Sequence, residues 1–374
     1  MKKVNISQVD VLFANGIYPI EFLFYFKEGL NTKKIRNALK RLFTVFWPMF
    51  GEYEDGIISF ENYVEDEYYD EEVVDLEFAI PTTEKERLEV YSQYCLPDTK
   101  KLFQLKITQF ENGMILVPKM KHLAGDGYSY FFFLSSLAML SQHTLFPSKS
   151  SLMQLFTKPH HSRIALKKFS FKGMDLNSLQ QSSQFTIAVD EILRKDVQSL
   201  IREVADSKTF RISTNDVLSA MAVKKLVGAQ KEFEGEFVEL TIPIDVRRQV
   251  KEYGRRFFGN GIMLHKMRLK KDDIENLPTE EIAVQIRKSM PSVSKQSYVD
   301  YLTMLEEIIS EGKTEKFRPF DPASGFLVTN ISRLPVDKLN FGAGPPDLIF
   351  PLTIEKNAAA VLAKDENFIL RFAF

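Results

Sequence analysis

The sequence predicts an α/β protein of two domains. Strand-like and helix-like segments alternate in both halves of the chain, the texture of a mixed architecture. The 374 residues are 44% hydrophobic and 26% charged, a globular composition on a chain longer than one core usually organises. From Ser141 to Ser183 this texture gives way to Ser, Gln, Lys and His with Pro147, Pro159 and Gly173, without sustained periodicity, as in a connection between domains. The expected division is a first domain over 1–165, a connecting segment over 166–184 and a second domain over 185–374.

Each element has a local reason. "PIEFLFYFK", from Pro19, is rich in aromatics like a mostly buried strand. A helix follows, with Ile35, Leu39, Leu42, Phe43 and Phe46 at helical spacing, Asn31 or Thr32 to cap it and Pro48 to stop it. "EYEDGIISFENYV" reads as a hairpin turning at Asp55-Gly56, and the acidic run "VEDEYYDEEVVDLEF" as a solvated surface segment. "KLFQLKITQFENGMILVPKMK" is a second hairpin, turning at Asn112-Gly113, so His122 stands where its second strand ends. The apolar run Tyr128 to Leu140 reads as a buried helix. The second half opens with a strand in "QFTIAVD" and a helix in "DEILRKDVQSLIREVADS" capped by Asp190. Another helix opens at "STNDVLSAMAVKKLVG", a strand lies in "EFVELTIPIDVRRQV", and "PTEEIAVQIRKSM" is helical. "SGFLVTNISRLP" is a strand, "NFGAGPPD" a turn and "NFILRFAF" a closing strand.

Composition excludes several functions. Lys and Arg number 49 against 50 Asp and Glu, so no global positive field holds nucleic acid or an anionic membrane. Cys95 is the one cysteine, which rules out an internal disulfide and a multi-cysteine metal site and fits a reducing compartment. It reads as a core or strand-end thiol. "MKKVNISQVDVLF" lacks the apolar core of a secretory signal, and Tyr128 to Leu140 is too short to cross a bilayer. The expected location is cytoplasmic. His160-His161 has no third ligand at metal spacing, no Walker loop occurs, and "GAGPPD" lacks the third glycine of a dinucleotide fingerprint.

The candidate chemistry lies in "KHLAGDG". A neutral, oriented His122 can take a proton from a hydroxyl or amine, because histidine titrates nearest neutrality. Asp126, four residues on, has two readings: the orienting partner of His122, or the cap of the helix that begins near Gly127. The local residues leave both open.

Distant stretches add to this motif. "KHLAGDGYSYFFFLSSLAML" resembles the His-x-x-x-Asp-Gly motif and following helix of the plant and fungal BAHD acyltransferases, a branch of the CoA-dependent acyltransferase superfamily. "FGEYEDG" is similar to the early "PLAGR-L" region, "ISTNDVLSAMAVKKL" to the "ST-x-D-x-L-x-A" helix start, and "IPIDVRRQVKEYGRRFFGNGI" to the "D-x-R-x-R... FGN" segment. "VTNISRLPVDKLNFGAG" resembles "VT-S-W-x-R-LP... DFGWG". The stretches fall in the family's order and cover nearly the whole chain. Two departures stand out: "NFGAG" (Asn340 to Gly344) has lost the acid and the tryptophan of "DFGWG", and Ile331 stands where plant members often carry an aromatic residue.

The resemblance implies a two-domain chloramphenicol-acetyltransferase-like fold, mixed sheets flanked by helices, with a channel at the domain interface and a segment near 325–345 crossing to the first domain. It implies His122 as general base and no covalent acyl-enzyme, with acyl-CoA as co-substrate, a small-molecule acceptor and no permanently bound cofactor. Asp126 is implied to point away from substrate and pair with Arg247, and Thr329 to be a candidate oxyanion donor. Gly127 is expected to let the loop turn, and Gly342 and Gly344 to preserve the later turn. Ser213 and Thr214 are candidates for coenzyme A contact at a helix start, and Lys224, Lys225, Arg255 and Arg256 are basic residues available to phosphates. A monomer is expected. Two further readings stand beside this one: a condensation-like domain fed by a carrier protein, which usually has a second histidine where Lys121 stands, and a non-catalytic ligand- or partner-binding descendant.

Overall fold

The computed structural model describes residues 1–13, 19–54, 56–142, 186–207, 210–230, 235–251, 253, 257–312, 318–336, 339–353 and 355–374. The expected connecting segment, His160-His161, Arg255 and Arg256 lie outside the described residues.

The first half sets a small three-stranded sheet, β1 (Lys2–Asn5) paired with the hairpin β3 (Glu52–Glu54) and β4 (Ile57–Phe60) in the order β1-β4-β3, beside a larger sheet. That sheet takes β2 (Pro19–Phe26), β5 (Tyr69–Val73), β6 (Phe103–Phe110) and β7 (Gly113–Lys121). A fifth strand, β12 (Leu348–Pro351), comes from the far end of the chain and pairs antiparallel with β2, giving the order β12-β2-β7-β6-β5. Gly113, at φ 155°, makes the tight turn between β6 and β7. The second sheet has the order β10-β9-β11-β13-β14-β8: β8 (Ile187–Ile192), β9 (Phe237–Asp245), β10 (Ile262–Lys270), β11 (Gly325–Asn330), β13 (Ala358–Lys364) and β14 (Asn367–Ala373).

Helix α1 (Gln8–Val11) is a single turn, α2 (Thr32–Leu42) is capped by Asn31, α3 is Glu84–Tyr94 and α4 is Gly127–Gln142. Ile35, Ala38, Leu39 and Leu42 of α2 face the same core as Tyr130, Phe131, Leu134 and Leu137 of α4. This core does not stop at the first half. Phe258 places its ring 5.1 Å from Phe46, and Phe341 places its ring 6.0 Å from Phe26, so late segments complete an early core. A second core lies under the second sheet, where Val217, Leu218, Val223 and Leu226 of the helix Thr214–Ala229 pack against Leu240, Val328 and Val361.

Two local expectations are corrected. The acidic run lies largely at the surface as expected, but it is not a bare solvated segment: it holds β5, parallel to β6, with Tyr68 and Tyr69 buried while Asp70 and Glu72 reach Lys106 on the outer face. Alternation along the strand turns Tyr69 inward and Asp70 outward. Asp190 caps no helix; it sits in β8 opposite Leu370, 2.6 Å from the Lys225 ammonium, and the next helix starts at Arg194. No helix among the described residues is long and apolar enough to cross a membrane.

Candidate active site

His122 leaves the end of β7 in a short turn, His122–Ala124, directly before α4. Its ring stacks on Phe13 with centroids 3.7 Å apart and 19° between planes. The Nδ1 atom is buried and has no hydrogen-bond partner among the described residues. Burial pushes the imidazole pKa down, outweighing Asp126, the residue's own carbonyl, Asn260 and Asp10, which all favour the proton. The ring is therefore neutral at pH 7.

Asp126 takes the cap reading, and it pairs with Arg247 as the resemblance implies. Its Oδ1 accepts from the Ser129 N–H at 3.0 Å, the bond of a helix cap, and from Arg247 Nη2 at 2.8 Å; its Oδ2 accepts from the Gly261 N–H at 2.9 Å. Burial alone would raise this carboxyl, but the guanidinium and the two N–H groups outweigh it and hold the pKa below the usual range. Arg247 also donates to Ser129 Oγ and the carbonyls of Phe257 and Gly259. Its Nη1 reaches Asp245 Oδ1 at 3.2 Å. A Cβ on Gly261 would lie 2.8 Å from the guanidinium carbon, so glycine is what lets the backbone pass so close. The ion pair fastens the His122 loop to a segment 121 positions later.

The sequence reading misses a second fastener. Asn260 Nδ2 donates to the backbone carbonyl of His122 at 2.9 Å and to the buried Asp10 at 2.8 Å. A signal for it exists, because Asn260 ends the "FGN" stretch that carries the resemblance.

A cavity of about 470 Å³ lies between the halves, with His122, Phe22 and Phe131 on one side and Ile244, Arg247 and Thr329 on the other. Thr329 is on β11, and its hydroxyl has no partner among the described residues. Ser213 and Thr214 stay outside the cavity lining: Ser213 caps its helix through Asp216 and accepts from Arg287 Nη2 at 2.7 Å. Asn215, one residue on, lines the cavity instead, its Oδ1 accepting from Asn330 Nδ2 at 2.9 Å. Lys224 donates to the carbonyls of Ile274 and Leu277 and Lys225 pairs with Asp190, so both basic residues have internal partners.

The expectation for Gly127 is corrected in its reason. It is the first residue of α4 rather than a turn glycine, and its missing side chain leaves open the cavity wall beside Leu334. Gly342 and Gly344 do turn the chain, at φ 110° and 84°, and both donate their N–H to Asn340 Oδ1, at 2.7 and 3.1 Å. An amide oxygen thus makes the bonds for which a carboxylate would otherwise serve. Cys95 sits at the end of α3, its Sγ 3.4 Å from Glu21 Oε2, and burial beside that carboxylate pushes the thiol up to about 12. It is no nucleophile at neutral pH.

Two α/β halves, joined by an exchanged strand and sharing a cavity that His122 lines, define a two-domain mixed α/β architecture with its candidate site at the seam. The fold superposes on TRI101 of F. sporotrichioides, crystallised with coenzyme A and T-2, at a TM-score of 0.76 and 14% identity, covering 99% of this chain and 94% of that one. For vinorine synthase the TM-score is 0.69 and the identity 15%, with 100% and 90% covered. The architecture is the two-domain chloramphenicol-acetyltransferase-like fold. The Transferase family profile matches residues 1–367, and the chain belongs to that family, the BAHD acyltransferases. No curated protein sequence matches it.

Proposed function

We propose that the protein transfers an acyl group from acyl-coenzyme A to a hydroxyl or amine of a small-molecule acceptor. The observation that carries this reading is the placement of His122, stacked on Phe13 and held through its backbone carbonyl by Asn260, on the wall of a cavity lined by both halves. His122 takes the acceptor's proton as that group attacks the thioester carbonyl. The tetrahedral intermediate then collapses, the carbon–sulfur bond breaks, and the imidazolium returns the proton to the thiolate. Thr329 is the candidate donor to the oxyanion, its hydroxyl having no partner among the described residues on the cavity wall. Asp126, Arg247 and Asn260 position the base rather than relay its proton. No covalent acyl-enzyme is needed, in keeping with the raised Cys95 thiol. The coenzyme A in the TRI101 crystal supports the choice of donor.

His122→Ala is expected to lower turnover of acyl-CoA by roughly 100- to 10,000-fold with folding intact. Unchanged turnover would remove His122 from the mechanism. Because burial lowers the imidazole pKa, the acid limb of the kcat/KM profile should lie below the ordinary histidine value of 6.5. A limb above that value would point to another base.

A further inference from the structure

The geometry points to a carboxylate-binding site at Arg371, and so to a small-molecule substrate that carries an acid group on an apolar body. This deepens the acyltransferase reading and rests on it for the cavity being the place where substrate binds.

Arg371 lies on β14, the closing strand, is 5% exposed and lines the cavity that holds His122. Its Nη1 donates to the Thr353 carbonyl at 3.0 Å, and its guanidinium carbon lies 5.7 Å from the Phe350 ring centroid. Its Nε and Nη2 are buried and have no hydrogen-bond partner among the described residues. Those two nitrogens share one edge of the planar guanidinium, the edge whose parallel N–H groups match the two oxygens of a carboxylate. Buried unpaired donors are costly, and a ligand that pairs them removes the cost.

The neighbourhood keeps that edge clear. Its neighbours in the ladder are small: Ala360 is directly opposite Arg371, and Ala358 opposite Ala373, all lining the cavity. Thr329, Ala360 and Arg371 form one row across three adjacent strands. At about 4.8 Å between strands, the Cα atoms of Thr329 and Arg371 are about 10 Å apart, the length of one small molecule. Ile242, Ile244 and Leu327 supply apolar wall to the same cavity. The other acid at this end, Glu355, is pushed by burial up to about 8 and is neutral at pH 7, so it does not neutralise Arg371. Arg371 itself, brought down to about 10 by burial, stays cationic. One uncompensated positive charge suits a monoanion better than a phosphate dianion.

The test is calorimetry on the full chain at pH 7 without acyl-CoA, using straight-chain monocarboxylates from acetate to dodecanoate and benzoate, each against its primary amide. At least one acid should bind about 10- to 100-fold more tightly than its amide. Arg371→Gln should bring that ratio close to one, and Arg371→Lys should restore only part of it, since lysine lacks the fork. Equal binding of acids and amides, no binding of any acid, or an unchanged preference in Arg371→Gln overturns the proposal. Should Arg371→Gln not fold, the wild-type protein crystallised with 4-bromobenzoate decides: carboxylate on Nε and Nη2 supports the site, carboxylate elsewhere in the cavity refutes it. Acid binding through Arg371 with no acyl transfer from any acyl-CoA would leave this site standing and sink the acyltransferase reading. Acyl transfer with no acid preference would do the reverse.

Discussion

Arg247 and Arg371 line one cavity and are about equally buried, at 3% and 5% exposure, yet their surroundings are opposite. Every nitrogen of the Arg247 guanidinium has an acceptor, and Asp126 and Asp245 balance its charge. Arg371 has one acceptor, no acid within ion-pair distance among the described residues and a bare edge. A saturated buried charge holds a structure together, whereas an unsaturated one is unfinished without a ligand. The same side chain is thus a fastener at one end of the cavity and a candidate receptor at the other.

The sharpest way to break this contrast is at the saturated end. Arg247→Met strands Asp126 as an unpaired buried carboxylate, and removing one member of such a pair costs about 3 to 5 kcal/mol. Urea unfolding of the purified variant should show that loss, with acyl transfer falling along with it as the His122 loop slackens. A loss under about 1 kcal/mol would mean that Arg247 is not the fastener its bonds imply.

Legibility follows the same division. The two hairpins are readable because Asp-Gly and Asn-Gly turns demand glycine in unusual backbone regions, and Gly56 and Gly113 adopt them, at φ 79° and 155°. The link from Asp126 to Arg247 has no local signature across 121 positions; it is readable only through the resemblance. Helix α3 is hard to read because Val90 is its one buried residue, so it has no apolar stripe. β12 is equally hard, because "LIFP" is four residues long and its partner strand lies more than 300 positions earlier. Arg371 is visible as a lone charge in the apolar strand "NFILRFA", but whether a guanidinium is saturated is a property of its tertiary neighbours.

The two carboxyls sharpen the comparison through pH. Asp126 is held ionised, so its contribution to stability is present above its unfolded pKa near 3.8 and is lost as pH falls through the lower folded value. Glu355 has the opposite sign: its folded pKa of about 8 is above the ordinary 4.5, so the folded state binds the proton more tightly. Stability should therefore fall as pH rises from 4.5 to about 8. Glu355→Gln should remove a slope of roughly 1.4 kcal/mol per pH unit across that window. Urea unfolding at several pH values reads the slope, and parallel curves for the variant and wild type would show that Glu355 is ionised or solvated.

The smallest expected effect is the one that tests the contrast most directly. Arg371→Met removes a single bond to the Thr353 carbonyl, and with it a buried cation and two unpaired donors. Replacing such a charge with an apolar side chain of similar length should leave stability within about 1 kcal/mol of wild type, or above it. The ligand-free Arg371→Met variant should therefore melt at nearly the same temperature as wild type, while the equivalent change at Arg247 is severe. A loss at Arg371 as large as that at Arg247 would mean that both arginines are fasteners and that the bare edge is filled from within the protein.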